Sequence, residues 1–401
     1  MKAGWTTKPL DEACTFINGL WKGEKAPLKM VGVIRNTNFT KDGTLDDSDI
    51  AFIEVEAKKF EKRKLSPGDI ILEKSGGGPK QPVGRVVLFN KSEGDYSFSN
   101  FTAAIRVKSA SEIDPRFLHK FLHWTYLSRV TEGMQSNSTG IRNLDGDKYK
   151  AIQISYPGIE EQRRIVTLLD EAFADIATAK ANAEKNLQNA RDFFSGQLQE
   201  IFDSGSNSWS SSTLGQTYDV RDGTHDSPKY QAEGYPLITS KNLKREGLSF
   251  DDVKLISQLD YTKINERSVV HQGDVLLAMI GTIGNPTVVE IEPNFAIKNV
   301  ALLKVPETQN SYFLQYYLST PSVIAKMQAE AKGTTQKFVG LGYLRAFPIS
   351  IPSLAEQQKI VEKLDELRTE SERLESIYRQ KLNTLDDLKK SLLHQAFSGQ
   401  L

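Results

Sequence analysis

The sequence predicts an α+β, or mixed α/β, protein in which two pseudo-repeated globular blocks are joined by two long antiparallel coiled-coil helices. Three observations predict this fold. One helical sequence is written twice, as YPGIEEQRRIVTLLDEA from Tyr156 and as IPSLAEQQKIVEKLDEL from Ile351. A weaker repeat precedes each copy, and each copy continues for many helical turns without an internal Pro or Gly.

The two globular blocks share a frame of apolar and Gly positions. At an offset of 204 residues, VIRNTNFTKDG from Val33 corresponds to LITSKNLKREG from Leu237. Short apolar runs bounded by Gly, such as GDIILE and GDVLLAMI, are typical of strands. Each block also contains an amphipathic helical pattern, which begins at Pro115 in the first block and at Ser311 in the second.

The two long helical segments align at an offset of 195 residues without a gap. Their apolar residues recur mostly at steps of three and four, the spacing of a helix that packs along another helix. A helix of about 40 residues is about 60 Å long, and alone it would leave its apolar stripe in water. We therefore expect the two copies to pair antiparallel. The alternative is two unrelated coiled-coil segments bound to other proteins.

The repeat defines four ranges along the chain. The blocks occupy 1–156 and 204–351, and the long helices occupy 157–203 and 352–401. A paired rod of helices about 60 Å long could hold two globular blocks apart.

Composition excludes several classes of protein. The 401 residues include 51 basic and 51 acidic side chains, so non-specific coating of nucleic acid is disfavoured. No apolar run is long enough for a membrane span, and the N-terminus lacks the apolar core of a secretory signal. The single Cys14 allows no internal disulfide, and a reducing cytoplasm is expected. His119 and His123 have helical spacing, and we interpret them as helix-surface residues rather than metal ligands.

Catalytic motifs are not found in the sequence. SGGGPKQPVGR lacks the spacing of both a P-loop and a dinucleotide-binding loop, and no G-x-S-x-G or zinc-protease motif is present. Polar Gly-rich stretches lie between the predicted strands, notably Glu73 to Arg85 and Gln135 to Lys148. Such loops can be plain hairpins, or they can contact phosphates and base edges. The sequence therefore favours a binding and scaffolding role.

Together these residues resemble one family, the specificity (S) subunit of type I restriction–modification enzymes. The helical motif reads PGIEEQRRIVTLLDE from Pro157 and PSLAEQQKIVEKLDE from Pro352. GDIILEKSGGG and GDVLLAMIGTIG resemble the Gly-Asp-Ile-Leu-Leu…Gly-x-x-Gly pattern of its target-recognition domains, and LLHQAFSGQL resembles the family's C-terminal ending. The resemblance covers essentially the whole chain. The first block departs from the pattern through its longer GGGPKQPVG loop.

The resemblance implies a non-catalytic subunit that supplies the choice of DNA sequence. Its blocks would be target-recognition domains on double-stranded DNA, and because their polar residues differ, the target should be asymmetric and bipartite. The implied partners are two methyltransferase (modification) subunits, which carry S-adenosylmethionine, and restriction/translocase subunits, which use ATP and Mg. This chain would carry no cofactor and no metal, and it would not bind a membrane. A protein–protein scaffold with two repeated binding modules and no DNA remains the alternative.

The candidate contacts come from loop polarity, from the correspondence between blocks and from the first turns of the long helices. The candidate DNA-binding residues are Arg35, Asn36, Lys74, Ser75, Lys80, Gln81, Arg85, Asn137, Arg142, Ser240, Lys241, Asn242, Thr282, Asn285, Thr335, Gln336 and Lys337. The candidate subunit contacts are Glu161, Gln162, Glu356 and Gln357.

Overall fold

The computed structural model of the chain describes residues 4–20, 23, 25–78, 81–138, 141–205, 208–281, 283–333 and 337–401, with only the backbone described at 137 and 138. The chain forms two compact units. The first unit contains 1–183 and 380–401, and the second unit contains 184–379.

Two long helices each contribute residues to both units. The first long helix spans Ile159–Gly205 and the second long helix spans Leu354–Ser398, close to the predicted ranges 157–203 and 352–401. Each unit therefore contains one block and a part of both helices. In the described part of the chain, no helix is both long and apolar enough to cross a membrane.

The block of the first unit is built from small sheets and short helices. Its largest sheet is antiparallel, with strands in the order Cys14–Asn18, Thr102–Val107, Ile70–Glu73 and Val86–Leu88. The other sheets contain Ala51–Glu56 with Leu28–Ile34 and Tyr96–Phe98; Gln135–Ser138 with Ile141–Leu144 and Ser75–Gly77; and Thr6–Pro9 with Gln153–Tyr156. The helices are Leu10–Ala13, Ala57–Glu61, Pro115–Leu127 and Gly146–Lys150, with 3-10 turns at Asn36–Asn38 and Val130–Met134.

The block of the second unit repeats this plan. Its antiparallel four-stranded sheet has the order Asp219–Asp222, Val300–Lys304, Val275–Ala278 and Gly284–Val288. The other sheets contain Lys254–Ile256 with Tyr235–Ile238 and Ala296–Ile297; Leu243–Lys244 with Gly247–Leu248; and Ser210–Thr213 with Pro348–Ile351. The helices are Leu214–Thr217, Gln258–Ser268, Ser311–Ser319, Pro321–Ala329 and Leu341–Ala346, with a 3-10 turn at Ser240–Asn242.

The predicted amphipathic helix of the second block is two helices in the structure. Ser311–Ser319 ends before Thr320, and Pro321 starts the next helix at its first position. Proline lacks a backbone N–H and fixes its φ angle, so it suits the first helical position and interrupts a continuing helix. The pattern of the first block has no such proline, and Pro115–Leu127 is a single helix.

In each unit the long helices pack antiparallel. In the first unit, Ile165 and Leu169, near the start of the first long helix, share a buried cluster with Phe397, near the end of the second. In the second unit, Phe202, near the end of the first long helix, shares a buried cluster with Leu364, near the start of the second. The prediction of two long antiparallel helices joined to two pseudo-repeated mixed α/β blocks is confirmed.

Two glutamines at equivalent helix positions tie the blocks to the long helices. Gln162 and Gln357 are both 0% exposed. Gln162 accepts a hydrogen bond from the backbone N–H of Asp114 at 2.9 Å and donates to the carbonyl oxygen of Pro157 at 2.9 Å. Gln357 accepts from the backbone N–H of Asn310 at 2.8 Å.

The positions of these two glutamines differ from the expectation that they contact a partner subunit. Asp114 and Asn310 are the N-cap residues of block helices, so each glutamine joins the start of a long helix to the start of a block helix. The hydrogen bonds inside each unit explain why these polar side chains are buried.

His119 and His123 also differ from the expectation of surface residues. Their rings stack within the first block, with centroids 6.2 Å apart, and His123 is buried. Burial lowers the pKa of His119 from 6.5 to about 4 and the pKa of His123 to about 3. Both rings are therefore neutral at physiological pH.

Replacing Gln357 with Ala should destabilise the second unit. The change leaves the backbone N–H of Asn310 and the carbonyl oxygen of Pro352 without their partner. Each buried polar group without a partner costs about 1–3 kcal/mol. Urea unfolding should show this loss, whereas Gln358→Ala, at the exposed neighbouring position, should change little. Equal stability of both variants would contradict the role of Gln357.

Protonation of the buried histidines should destabilise the fold in acid. The unfolded chain takes up these protons near pH 6.5, and the folded chain takes them up only near the lowered pKa values of about 4 and about 3. The free energy of unfolding should therefore fall as pH drops from 6.5 toward 4. His123→Asn removes one titrating ring, so denaturation across this range should show a shallower pH dependence. An unchanged slope would contradict the assignment.

Candidate nucleic-acid interface

A small three-stranded sheet gathers several candidate residues of the first block. Asn137 lies opposite Arg142 in the strand register, and Arg142 lies opposite Gly77 on the third strand. Ser75 starts that third strand, and its hydroxyl is 2.5 Å from the Oδ1 atom of Asn143. The structure thus brings Ser75, Asn137 and Arg142 onto neighbouring strands. The Asn137 side chain and Lys80 lie outside the described residues.

Arg85 links this region to the 3-10 turn at Asn36. Its guanidinium bonds to Glu73 at 2.8 and 2.9 Å and donates to the carbonyl oxygen of Asn36 at 3.1 Å. The Arg85 side chain is only 12% exposed, and Glu73 is 1% exposed. The side-chain amide of Gln81 lies against the same guanidinium, and its oxygen can accept from the Nη1 atom of Arg85 at 2.7 Å when the amide is turned toward it. These bonds occupy the guanidinium and connect Glu73 with the 3-10 turn at Asn36.

The loop after Glu73 approaches Asn36 closely. Gly76 has φ +102°, and a Cβ atom there would lie 2.9 Å from the Nδ2 atom of Asn36. Glycine therefore suits this position for both its φ angle and its small size. Asn36 is half-buried, and its Nδ2 atom is 3.4 Å from Glu73.

Arg35, Lys74 and Arg142 are half-buried at the edge of the same region. Arg35 is 3.5 Å from the carboxylate of Asp49, and its buried Nε atom has no described partner. Lys74 donates to the Oδ1 atom of Asn18 at 3.0 Å, and burial lowers the pKa of Lys74. Each of these cations is partly accessible and has fewer described hydrogen bonds than Arg85.

The two blocks build the same 3-10 turn with a buried asparagine. In the first block, Asn38 accepts from the backbone N–H of Arg35 at 2.9 Å. In the second block, Asn242 accepts from the N–H of Thr239 at 3.0 Å and donates to the carbonyl oxygen of Ser249 at 3.1 Å. Asn242 is 5% exposed, which differs from the expectation of a DNA contact. The turn instead presents the side chain of Lys241, which is exposed.

Other polar loops of the second block contact this turn or each other. Asn285 has φ 49° and donates to the carbonyl oxygen of Leu243 at 3.2 Å. The carbonyl oxygen of Lys337 accepts from the N–H of Gly281 at 2.9 Å. Ser240 lies in the turn itself and is half-buried. The remaining candidates in this block lie outside the described residues, namely Thr282, Thr335 and Gln336.

A further polar loop beside the turn was missed by the sequence analysis. His225 is exposed, and its ring nitrogens lie 2.9 Å from the Oδ1 atom of Asn299 and 2.9 Å from the Oδ2 atom of Asp222. Asp222 also accepts a hydrogen bond from Arg267, and Lys298 donates to Ser227. The stretch RDGTHDSPK, polar and glycine-containing like the other loops, was the available signal.

This missed loop is placed by a glycine that recurs in the repeat. A Cβ atom on Gly223 would lie 2.2 Å from the carbonyl oxygen of Ile297, and one on Gly19 would lie 1.8 Å from that of Ser99. Both contacts are too close for any larger residue. The small size of Gly223 therefore allows the loop to approach the end of the strand Ala296–Ile297. The next residue, Lys298, donates its backbone N–H to the carbonyl oxygen of Ile238 at 2.8 Å.

The arrangement in each block is suited to recognition. Hydroxyl, amide, imidazole and cationic groups surround the two 3-10 turns, and buried ion pairs and asparagines hold their loops. Such groups donate to phosphates and to base edges. The described residues contain no group of three or more His, Cys, Asp or Glu that could hold a metal ion. Burial also raises the pKa of the single thiol, Cys14, to about 12.

The other two expected subunit contacts lie at the surface of the helix starts. Glu161 pairs with Arg164 at 2.7 Å on the first long helix. Glu356, on the second, accepts from the indole N–H of Trp209 at 3.0 Å. Glu356 is exposed and Glu161 is half-buried.

Two solved structures share this fold. A chain described under "Structural basis underlying complex assembly and conformational transition of the type I R-M system" matches with a TM-score of 0.80 at 19% identity, covering 100% of this chain and 99% of that chain. The HsdS subunit from Thermoanaerobacter tengcongensis matches with a TM-score of 0.62 at 18% identity, covering 100% and 98%.

Sequence comparisons find specificity subunits and domains of type I restriction enzymes. The type I restriction enzyme EcoKI specificity subunit of Escherichia coli (strain K12) is 23% identical over 427 aligned residues, which cover 99% of this chain and 89% of that protein. A family profile described as "Type I restriction modification DNA specificity domain" matches residues 2–187 and 207–383. Because that profile matches most of both blocks and both long helices, the chain belongs to the family of type I restriction–modification specificity subunits.

Proposed function

We propose that this chain reads an asymmetric, bipartite DNA target, with one block on each half. The observation that carries the proposal is the pair of equivalent 3-10 turns. Both turns are held by a buried asparagine, yet the preceding residues are Arg35-Asn36-Thr37 in one block and Thr239-Ser240-Lys241 in the other. The same frame presents different polar groups, as expected if two similar modules contact the phosphates and bases of two different half-sites.

The structure favours dividing the candidate residues into those that contact DNA and those that hold the contacting loops in place. We propose DNA contacts at the accessible or partly accessible groups of both blocks, namely Arg35, Asn36, Lys74, Ser75, Gln81, Arg142, Ser240, Lys241, Asn285, Lys337, His225 and Lys298. We propose that Arg85 and Asn242 act indirectly, because their side chains are largely buried and bond within the block. Lys80, Asn137, Thr282, Thr335 and Gln336 stay predicted contacts on sequence grounds.

The chain is also proposed to be a non-catalytic assembly platform. Two methyltransferase subunits would carry S-adenosylmethionine, and restriction subunits would use ATP and Mg, while this chain holds no cofactor. Glu161 and Glu356 occupy equivalent positions 195 residues apart, which suits two copies of one partner. The proposed location of the complex is the cytoplasm.

A protein–protein scaffold without DNA is the competing function. The polar loops would then contact peptides or other proteins. Gel-shift assays with the purified chain and its methyltransferase partner separate the two. Sequence-selective retention that weakens with salt indicates DNA reading, because phosphate contacts release counterions.

Exchange of one block should alter one half of the methylated sequence. Replacing residues 1–156 with the block of another family member keeps the second block and both long helices. Methylome sequencing of the host should then show one changed half-site and one unchanged half-site. Deletion of the gene should abolish methylation at the same sites. Methylation that survives the deletion, or a change in both halves after the exchange, would reject the proposal.

Lys241→Ala should weaken DNA binding with little dependence on sequence. Lys241 is exposed on the 3-10 turn, so we expect it to contact a phosphate. Losing one such contact should lower the slope of log K against log salt by about one. Titration of the assembled methyltransferase at several salt concentrations measures this slope. Lys326→Ala, an exposed lysine on the helix Pro321–Ala329, serves as the matched control and should keep the original slope.

A further inference from the structure

An ion pair joins the long helices in each unit. In the first unit, the Nζ atom of Lys180 lies 2.7 Å from the carboxylate of Asp386. In the second unit, the Nε atom of Arg191 lies 3.0 Å from the carboxylate of Glu375. Lys180 and Glu375 are 195 positions apart, and so are Arg191 and Asp386. The two pairs therefore use the same two positions of the repeat, with their charges reversed.

The reversed charges favour pairing of the first long helix with the second (unlike pairing) over pairing of either helix with a second copy of itself (like pairing). In the native pairing, each cation of the first long helix faces an anion of the second. If the first long helix paired with a second copy of itself in this register, Lys180 would face Arg191. If the second long helix did so, Glu375 would face Asp386. Each attraction would become a repulsion between like charges.

The burial of Glu375 strengthens this distinction. Its side chain is only 3% exposed, and it accepts hydrogen bonds from Arg191, from Arg245 at 3.0 Å and from Arg379 at 2.7 Å. Burial alone would raise the pKa of Glu375, but the hydrogen bonds from Arg191 and Arg245 outweigh it, and the pKa is lowered. Glu375 is thus a charged, enclosed carboxylate. Placing a second carboxylate beside it, in the position of Arg191, is costly.

Packing near the same pair is also specific to unlike helices. The hydroxyl of Ser371 donates to the carbonyl oxygen of Ala190 at 2.9 Å, and both residues are buried. Two small residues therefore allow a close approach of the helix backbones. The equivalent repeat positions are Ile176 and Leu385. Like pairing would place Ile176 against Ala190 and Leu385 against Ser371, where their bulk would prevent this contact.

We propose that each half of the chain is built to pair with the other half and to reject a second copy of itself. The halves are 1–205 and 208–401, each with one block and one long helix. The interaction surface is the helix face that carries the reversed charges and the small pair. Its consequence is that every pair of long helices carries two different blocks, never two copies of one block, and the inference holds whatever ligand the blocks bind.

The test starts from the folded full chain. A protease site inserted between Gly205 and Ser208 allows the chain to be nicked after folding. The nicked protein is unfolded in urea, refolded by dilution, and its pairs are counted by native mass spectrometry. Pairing without preference would give about half mixed pairs. The proposal expects almost only mixed pairs, and a wild-type result near one half would overturn it.

A double charge reversal identifies the cause. K180E/D386K keeps both native ion pairs attractive, and Lys389 still bonds to the nearby Asp42. It also makes like pairing attractive, because the carboxylate introduced at position 180 would face Arg191 and the ammonium introduced at position 386 would face Glu375. The mixed fraction should fall toward one half. The matched control D387K/K390D reverses an exposed pair within one helix, 3.0 Å apart, and should keep the wild-type preference.

The intact chain provides a second readout that needs no refolding of fragments. K180E alone and D386K alone should each lower the midpoint of thermal unfolding, and the double variant should recover most of the loss. If the double variant recovers nothing, or if its nicked form remains as selective as the wild type, charge complementarity is not the basis of the pairing.

Discussion

Burial of the apolar stripes of the long helices is the constraint on which the rest of the structure depends. Helices of this length cannot leave those stripes in water, so in each unit the start of one helix packs against the end of the other. Ile165 and Phe397 do this in the first unit, and Phe202 and Leu364 in the second. The buried Gln162 then fixes the block helix to the same place in the first unit, and its repeat equivalent does so in the second. The polar loops are therefore carried on a frame set by helix packing.

The helical frame could be predicted from the sequence because its signals are local and periodic. Apolar steps of three and four, an acidic first turn and long runs without Pro or Gly define the long helices closely. The repeat offset also predicted equivalent loops, and the 3-10 turns at Asn36–Asn38 and Ser240–Asn242 are equivalent in the structure. The amphipathic pattern from Ser311 was predicted as one helix because apolar spacing outweighed the signal from Pro321.

The functions of single polar residues could not be predicted in the same way. Arg85 and Lys241 look alike in a sequence, as cations in polar loops. Arg85 is held by Glu73 and by the carbonyl oxygen of Asn36, 49 positions away, whereas Lys241 is exposed. Gln162 is likewise buried by a partner 48 positions away, at the start of a block helix. Local polarity does not reveal such distant partners. The sequence therefore predicts a contact at every such residue and does not separate those that hold loops in place from those that are accessible.

Repetition itself creates a problem that the differences between the halves resolve. Two identical halves would pair with each other and with copies of themselves equally well, because every contact would be the same in both arrangements. The backbone shape that the two halves share cannot favour one of these pairings over the other. Reversed charge at Lys180 and Glu375, and unequal size at Ala190 and Leu385, can do so while the apolar seam remains. The two halves share the apolar positions that their folding requires. They differ at the positions where one long helix contacts the other.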